Sequence, residues 1–288
     1  MIVKKVKISG SIEGTIATGS YSNLKPSFLW EEEIELTFKD KEHEDKYDKY
    51  IQERRRQLYD MSFSLLKQVE VQAQVEKIEA ERSDLRFMVN PKNEKVSPSV
   101  TSVINYDSDF FCSAEDLRQY ASEGNCTHAK VDHYIKTGEW KAAKDLETTW
   151  VDILILTKGS LALSPDSGDF PAFLKKYKIA HTRTAPRQFS KDDLFNGEFD
   201  FLGIPHWKGA EPVATVFDIK RTPEKVKNGL QLAAYCKLAG YKQGIIVPLN
   251  SKTEQGYSRP VVYNEKQLEG YYKIFLQKRK DFKKRYGI

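Results

Sequence analysis

Residues 214–222 read "ATVFDIKRT", an apolar run that ends with an acid and a lysine two positions apart. Side chains at i and i+2 of a strand share one side. Asp218 and Lys220 therefore project together from the end of a buried β-strand. A strand-capping ion pair is one reading of that placement, and a metal-dependent phosphodiesterase centre is the other. Just upstream, "GEFDFLGI" (197–204) alternates like a second strand, and "PHWKGAE" forms the turn between them. The two strands are expected to pair antiparallel, bringing Asp200 near Asp218 and Lys220.

Downstream, "TPEKVKNGLQLAAYCKLAGY" reads as a helix with Thr222 as N-cap, Pro223 at the first helical position and a stop at Gly240. Gln231 and Tyr235 fall four apart on one face of it. "QGIIVPL" and "RPVVYN" supply further strands, and "EKQLEGYYKIFLQKRKDF" a last helix. Upstream, "EDLRQYASEGNCTHAKVDHYIKTG" reads as a helix in two pieces around Gly124, with His128 four residues further on. "TWVDILIL" is apolar but fits a strand and a buried helix equally. From about Val100 onward the pattern is thus α/β.

The N-terminal part differs. Residues 1–38 alternate weakly and are rich in turn formers, which predicts short strands. Asp40 to Asp84 contains no Pro or Gly, and Tyr47, Ile51, Leu58, Met61, Leu65 and Val69 recur at helical spacing, predicting one or two long amphipathic helices. "NPKNEKVSPS" (90–99) reads as the linker between an accessory region, 1–90, and a second domain, 91–288.

The bulk numbers narrow the class. In 288 residues, 40% are hydrophobic and 30% charged, as in water-soluble globular proteins. No apolar run reaches the roughly 20 residues that span a bilayer, and "MIVKKVKISG" lacks the apolar core of an export signal. Cys112, Cys126 and Cys236 are too scattered for a zinc ribbon or iron–sulfur cluster, and their number suits a reducing cytosol. Net charge is only +5. The C-terminal "KIFLQKRKDFKKRYGI" concentrates cations that suit either a solvated face or a phosphate backbone.

Two carboxylates at one spot repel each other and call for a cation between them. Mg²⁺ or Mn²⁺, one ion or two, suits such oxygen ligands and makes phosphodiester hydrolysis accessible. A lysine beside the attacking water can orient it or steady the transition state. On its own, D-x-K is a weak signal, since surface ion pairs produce it often. The series "PSVTSV", Gly124-x-x-x-His128, "GEFD", "DIK" and "QLAAY" is more specific. In that order and approximate spacing, over roughly half the chain, it resembles the PD-(D/E)XK nuclease superfamily in its RecB-like branch, which includes phage exonucleases.

The resemblance implies a mixed central sheet flanked by helices and a metal-dependent DNA exonuclease of recombination or replication. It implies Asp200 and Asp218 as metal-binding carboxylates, the Ile219 carbonyl and His128 as further ligands, and Lys220 as the catalytic lysine. Gln231 and Tyr235 would position the DNA strand. DNA is the implied partner, with a homo-oligomer or a recombination protein as further ones. The pattern departs from the family in "KIAHTRTAPRQFS", where the expected glutamate is missing and His181 is the nearest substitute. That gap keeps two alternatives open: an inactive nuclease-fold subunit that binds DNA, and a structure-specific endonuclease. Read without the resemblance, His128 is an ordinary surface histidine and Tyr235 a core residue. Buried, Gln231 requires partners; Cys126 and Cys236 read as small buried residues. For Tyr21, Phe28 and Trp30, a β-core reading competes with base stacking.

Overall fold

A computed structural model describes residues 2–13, 16–17, 23–24, 27–38, 41–82, 84–108, 114–142, 145–146, 168–192, 194–249 and 253–288. "TWVDILIL", Tyr21 and Cys112 lie outside these. The chain divides into two compact units, Met1–Asp84 with Pro91–Val96, and Leu85–Asn90 with Ser97–Ile288.

In the first unit, strands β1 (Ile2–Glu13) and β4 (Ser27–Phe38) form an antiparallel ribbon of 12 residues each. Two short strands, β2 (Ile16–Ala17) and β3 (Asn23–Leu24), pair with each other. The expectation of short strands was wrong for β1 and β4. Their hydrophobic alternation is weak because the register sets lysines opposite glutamates, Lys5 against Glu35 and Lys7 against Glu33. Lys7 Nζ also reaches Glu31 Oε1 at 2.7 Å. Trp30 is half-buried over Gly10, where any Cβ would lie 2.2 Å from its ring. Helix α1 (Lys41–Glu81) then runs unbroken for 41 residues against both strands. Its buried stripe is Ile51, Leu58, Ser62, Leu66, Val75 and Ile78. Met61 and Leu65, assigned to that stripe from spacing, are instead exposed, because each sits about 100° around the helix from its buried neighbour.

Strands β5 (Phe87–Val89) and β6 (Val96–Pro98) follow, so the stretch read as a bare linker carries a strand. Helix α2 (Val100–Asn105) starts at Ser99, whose hydroxyl accepts the Ser102 N–H. Helix α3 (Ala114–Thr137) runs straight through Gly124 rather than breaking there. One glycine weakens a helix by about 1 kcal/mol, too little to end it.

The second unit is a mixed α/β layer structure. Its five-stranded sheet has the order β13-β12-β11-β10-β7, made of β7 (Ile179–Arg183), β10 (Phe201–Pro205), β11 (Thr215–Lys220), β12 (Gly244–Pro248) and β13 (Val261–Tyr263). As expected, β10 and β11 pair antiparallel, with Phe201 opposite Phe217. β11 and β12 are parallel, joined by helix α5 (Lys225–Ala239). Both are buried throughout except at Lys220, which is why they read as continuous apolar runs. A small pair, β8 (Gln188–Phe189) with β9 (Asn196–Gly197), precedes β10. Helices α4 (Phe170–Lys176) and α6 (Glu265–Tyr286) complete the unit.

Helix α5 begins at Lys225, not at Pro223. Glu224 is its N-cap and makes no side-chain cap. The carboxamide of Asn228 instead accepts the Glu224 N–H at 2.6 Å and closes the first turn from inside. Gly240 ends it in the left-handed conformation, φ +75°.

The core beneath the sheet is aromatic. Phe170, Phe173, Phe201 and Phe217 are fully buried, and the Phe201 and Phe217 rings stack at 4.6 Å across the β10–β11 pair. Phe217→Ala is expected to destabilise the chain by about 3–5 kcal/mol, because the cavity cannot collapse against a sheet. The shift of the urea-denaturation midpoint checks this.

Candidate active site

The antiparallel ladder of β10 and β11 stops at Phe201 and Phe217. Continuing it would set Phe199 opposite Ile219. Instead the chain leaves strand geometry at 198–200, and Asp200 turns its carboxylate to accept the Ile219 N–H through Oδ2. Asp200 thus stands just before β10 rather than within it. Its other oxygen, Oδ1, lies 2.7 Å from His128 Nδ1 on α3. One residue on either side of Ile219, Asp218 and Lys220 project together as the strand period requires. Lys220 Nζ is 2.6 Å from Asp218 Oδ2.

That contact is a close ion pair between a buried carboxylate and an ammonium. The Asp218 side chain is 3% exposed, against 26% for Lys220. A buried carboxylate is costly unless a cation compensates it.

The titration behaviour follows from this packing. Burial pushes the Asp218 carboxyl up to about 6, with the Asp200 charge adding to it and Lys220 opposing. Asp200 moves the other way. Burial would raise it, but His128 and Lys220 hold it below the usual carboxylate range. For His128, burial alone would lower the imidazole; the neighbouring Asp200 carboxylate raises it above its ordinary value. Burial likewise works against the Lys220 ammonium, and Asp218 and Asp200 more than reverse this, so the lysine stays charged.

Helix α5 brings the next pair. Gln231 Nε2 donates to Tyr235 Oη at 2.9 Å, giving the half-buried amide the partner it requires. Burial, then the Asp218 charge, push the Tyr235 phenol up to about 12, which places its ring beside the carboxylates. A residue not singled out from sequence permits that approach. Gly197 leaves room for the Tyr235 ring, and a Cβ there would lie 2.6 Å from its Cε1. The signal was present as the first letter of "GEFD". Glu198 turns away to Arg187 Nη2, at 3.1 Å. His181 sits exposed in the left-handed region, φ 54°, at the irregularity between β7 and β10, level with Gly203 and Ile204 rather than with Asp200. It therefore does not fill the missing glutamate's place.

His128, Asp200, Asp218, Ile219 and Lys220 are thus brought together, with Gln231 and Tyr235 alongside. Among the described residues, no three His, Cys, Asp or Glu side chains are arranged as a ready metal-binding group. The donor chemistry still fits a hard divalent ion, because the Asp218 and Asp200 carboxylates lie close enough for each charge to act on the other. Among the described residues no helix is long and apolar enough to cross a membrane.

No family model matches this chain, and neither does any curated protein. A solved structure described as "Crystal structure of SSO0001" shares 13% identity over 58% of this chain and 88% of its own, at a TM-score of 0.23. A likeness at that level carries no argument about fold or activity.

The raised Asp218 value has a consequence for stability without divalent ions. A carboxyl whose folded value exceeds its unfolded value of 3.8 contributes stability while protonated, and that contribution is lost as pH rises through about 6. Asp218→Asn stays neutral throughout. From about pH 4 to about pH 7 the wild type is expected to lose about 3 kcal/mol relative to this variant. Urea denaturation of both proteins across that range measures the difference.

Proposed function

We propose that this chain is a metal-dependent deoxyribonuclease with a PD-(D/E)XK core of the RecB-like branch, acting as an exonuclease on DNA in the cytoplasm. The observation that carries the reading is the convergence of Asp200, Asp218 and Lys220 at the end of β11, with the Asp218 carboxylate buried beside the Lys220 ammonium.

Asp200, Asp218, His128 and the Ile219 carbonyl would hold Mg²⁺ or Mn²⁺, as one ion or two. When bound, such an ion neutralises charge building on the scissile phosphate and acidifies the attacking water. Lys220 keeps its proton and, a quarter exposed, presents a compact positive charge to the phosphate while orienting the water. Tyr235, aligned by Gln231, places a phenol beside the reacting group and fixes the approach of the strand. Its proton stays on at any working pH. Asp200 does two tasks, closing the β10–β11 ladder at Ile219 and holding the His128 imidazole in place.

One observation favours a second reading. Residues 178–190 hold no acid where the resemblance expects a glutamate, and His181 stands away from Asp200, which leaves the ligand set one carboxylate short, as in a DNA-binding subunit without activity. Incubation of end-labelled linear DNA and closed circles with Mg²⁺ or Mn²⁺ separates these. Wild type is expected to degrade linear DNA and spare circles, and Asp218→Ala and Lys220→Ala to lose on the order of 10²–10³ in rate. Equal degradation by all three proteins would overturn the mechanism. Cleavage of circles points to an endonuclease, and binding without cleavage under either metal to the inactive subunit.

A further inference from the structure

The last 16 residues, 273–288, hold seven cations, Lys273, Lys278, Arg279, Lys280, Lys283, Lys284 and Arg285, against Asp281 alone. Their surplus of six exceeds the surplus of five for the whole chain, 46 Lys+Arg against 41 Asp+Glu, so the remaining residues together are net −1. The protein's positive charge is therefore a local property of α6.

The structure sorts these cations into two groups. Two of them serve the fold. Lys278 Nζ holds both oxygens of Asp107 at 2.7 Å. Arg279 is buried and donates to the carbonyls of Leu194 and Ile288. Arg279 shares the buried stripe of α6 with Leu268, Phe275 and Phe282. Lys273, Lys280 and Lys284 stand on the opposite, exposed side. At 3.6 residues per turn they fall within about 40° of the helix circumference, over about 16 Å of its length. None of the three forms an ion pair among the described residues, although Glu269 stands four positions before Lys273 on the same face. Asp281 is engaged by Gln277 Nε2 at 3.1 and 3.2 Å, and Asp107 by Lys278.

Two bland explanations account for only part of this stripe. Cations in the last turn offset the helix dipole, which covers Lys284 but not Lys273 or Lys280, since the effect fades within one turn. A solvated face pairs its lysines with acids; here Glu269 and Asp281 border the stripe, and neither forms an ion pair with the three lysines among the described residues. A helix lying on a membrane would need a wide exposed apolar face. Here the apolar face is spent on the core, and Ile274 is the one exposed large apolar side chain of α6 among the described residues.

We infer that the outer face of α6, through Lys273, Lys280 and Lys284, is a docking surface for the phosphate backbone of nucleic acid. The inference deepens the nuclease reading and rests on it for the choice of DNA. Lysines suit this task because each is a strongly hydrated point charge on a flexible stem, which neutralises phosphate without reading bases. Helix α6 packs on α5, where Gly229 receives the ring of Tyr271 with no room for a Cβ. Helix α5 also carries Gln231 and Tyr235, so the stripe belongs to the layer that backs the catalytic pair. It would hold a stretch of duplex outside the pocket at Asp218.

The triple variant Lys273→Gln, Lys280→Gln, Lys284→Gln tests this in the full-length protein. Binding of a labelled duplex is followed by fluorescence anisotropy in EDTA as NaCl is raised. The slope of log affinity against log salt is expected to fall by about 3, since each phosphate contact contributes about 0.9. At about 0.15 M salt the affinity is expected to fall on the order of a hundredfold. The triple variant should keep the wild-type melting temperature, because the three lysines are exposed. An unchanged slope in a folded triple variant overturns the inference. So does loss of binding to phosphatidylserine vesicles in that variant with DNA affinity intact, which would assign the stripe to a membrane. If the slope falls as expected but no metal gives cleavage, the docking surface stands and the hydrolytic reading fails. If cleavage of short duplexes persists with the slope unchanged, the reverse holds.

Discussion

A carboxylate buried at the end of a central strand, with only an ammonium beside it, governs the second unit. Asp218 lies on the strand between a parallel neighbour, β12, with which it pairs, and an antiparallel one, β10, whose ladder ends one residue before it. Burial there opposes its ionisation, and Lys220 is held in place to compensate. The strand period makes the pairing unavoidable, since the two residues flank Ile219 and share a side. A single-residue slip of β11 would turn both charges toward the Phe201–Phe217 core. Register, core packing and the electrostatics of the pocket are therefore one constraint.

The same constraint explains why β10 breaks before Asp200. A regular ladder would use the Ile219 N–H for a backbone carbonyl. The Asp200 carboxylate takes it instead, which satisfies a buried donor and fixes an acid at the pocket. Gly197, three residues earlier, lets the Tyr235 ring close over the same region. Backbone irregularity is thus what turns a sheet edge into a cluster of titratable groups. It also separates the two acids electrostatically: Asp200 is kept ionised by His128, while Asp218 is pushed toward neutrality. Acids driven apart in this way are a feature of functional pockets, although buried ion-pair networks produce it too.

The first unit obeys a different rule. A two-stranded ribbon is marginal on its own, and α1 packs along both strands. The 41-residue length of α1 follows from the absence of Pro and Gly between Lys41 and Glu81. Its buried stripe changes phase along its length, from Ile51, Leu58 and Leu66 to Val75 and Ile78, because a straight helix of 3.6 residues per turn drifts against any fixed neighbour. Spacing alone chose Met61 and Leu65, which lie on the flank of that stripe.

From the sequence alone, the β10–β11 hairpin, the strand–helix–strand succession β11-α5-β12, the stop at Gly240 and the shared side of Asp218 and Lys220 could all be read, whereas the parallel pairing of β11 with β12 could not. Each legible feature rests on a local rule: period two in a strand, a left-handed glycine, apolar runs where both faces are covered. The long ribbon β1–β4 escaped because its charges find partners across the strand, at Lys7 and Glu31, which no single-strand pattern reveals. The start of α5 escaped because Asn228 reaches back to Glu224 from inside the helix. Only the tertiary structure decided that Asp200 leaves the ladder, that His128 meets it from α3, and that Gly197 admits Tyr235. Those contacts join segments dozens of residues apart, so their geometry comes from packing rather than from the order of side chains.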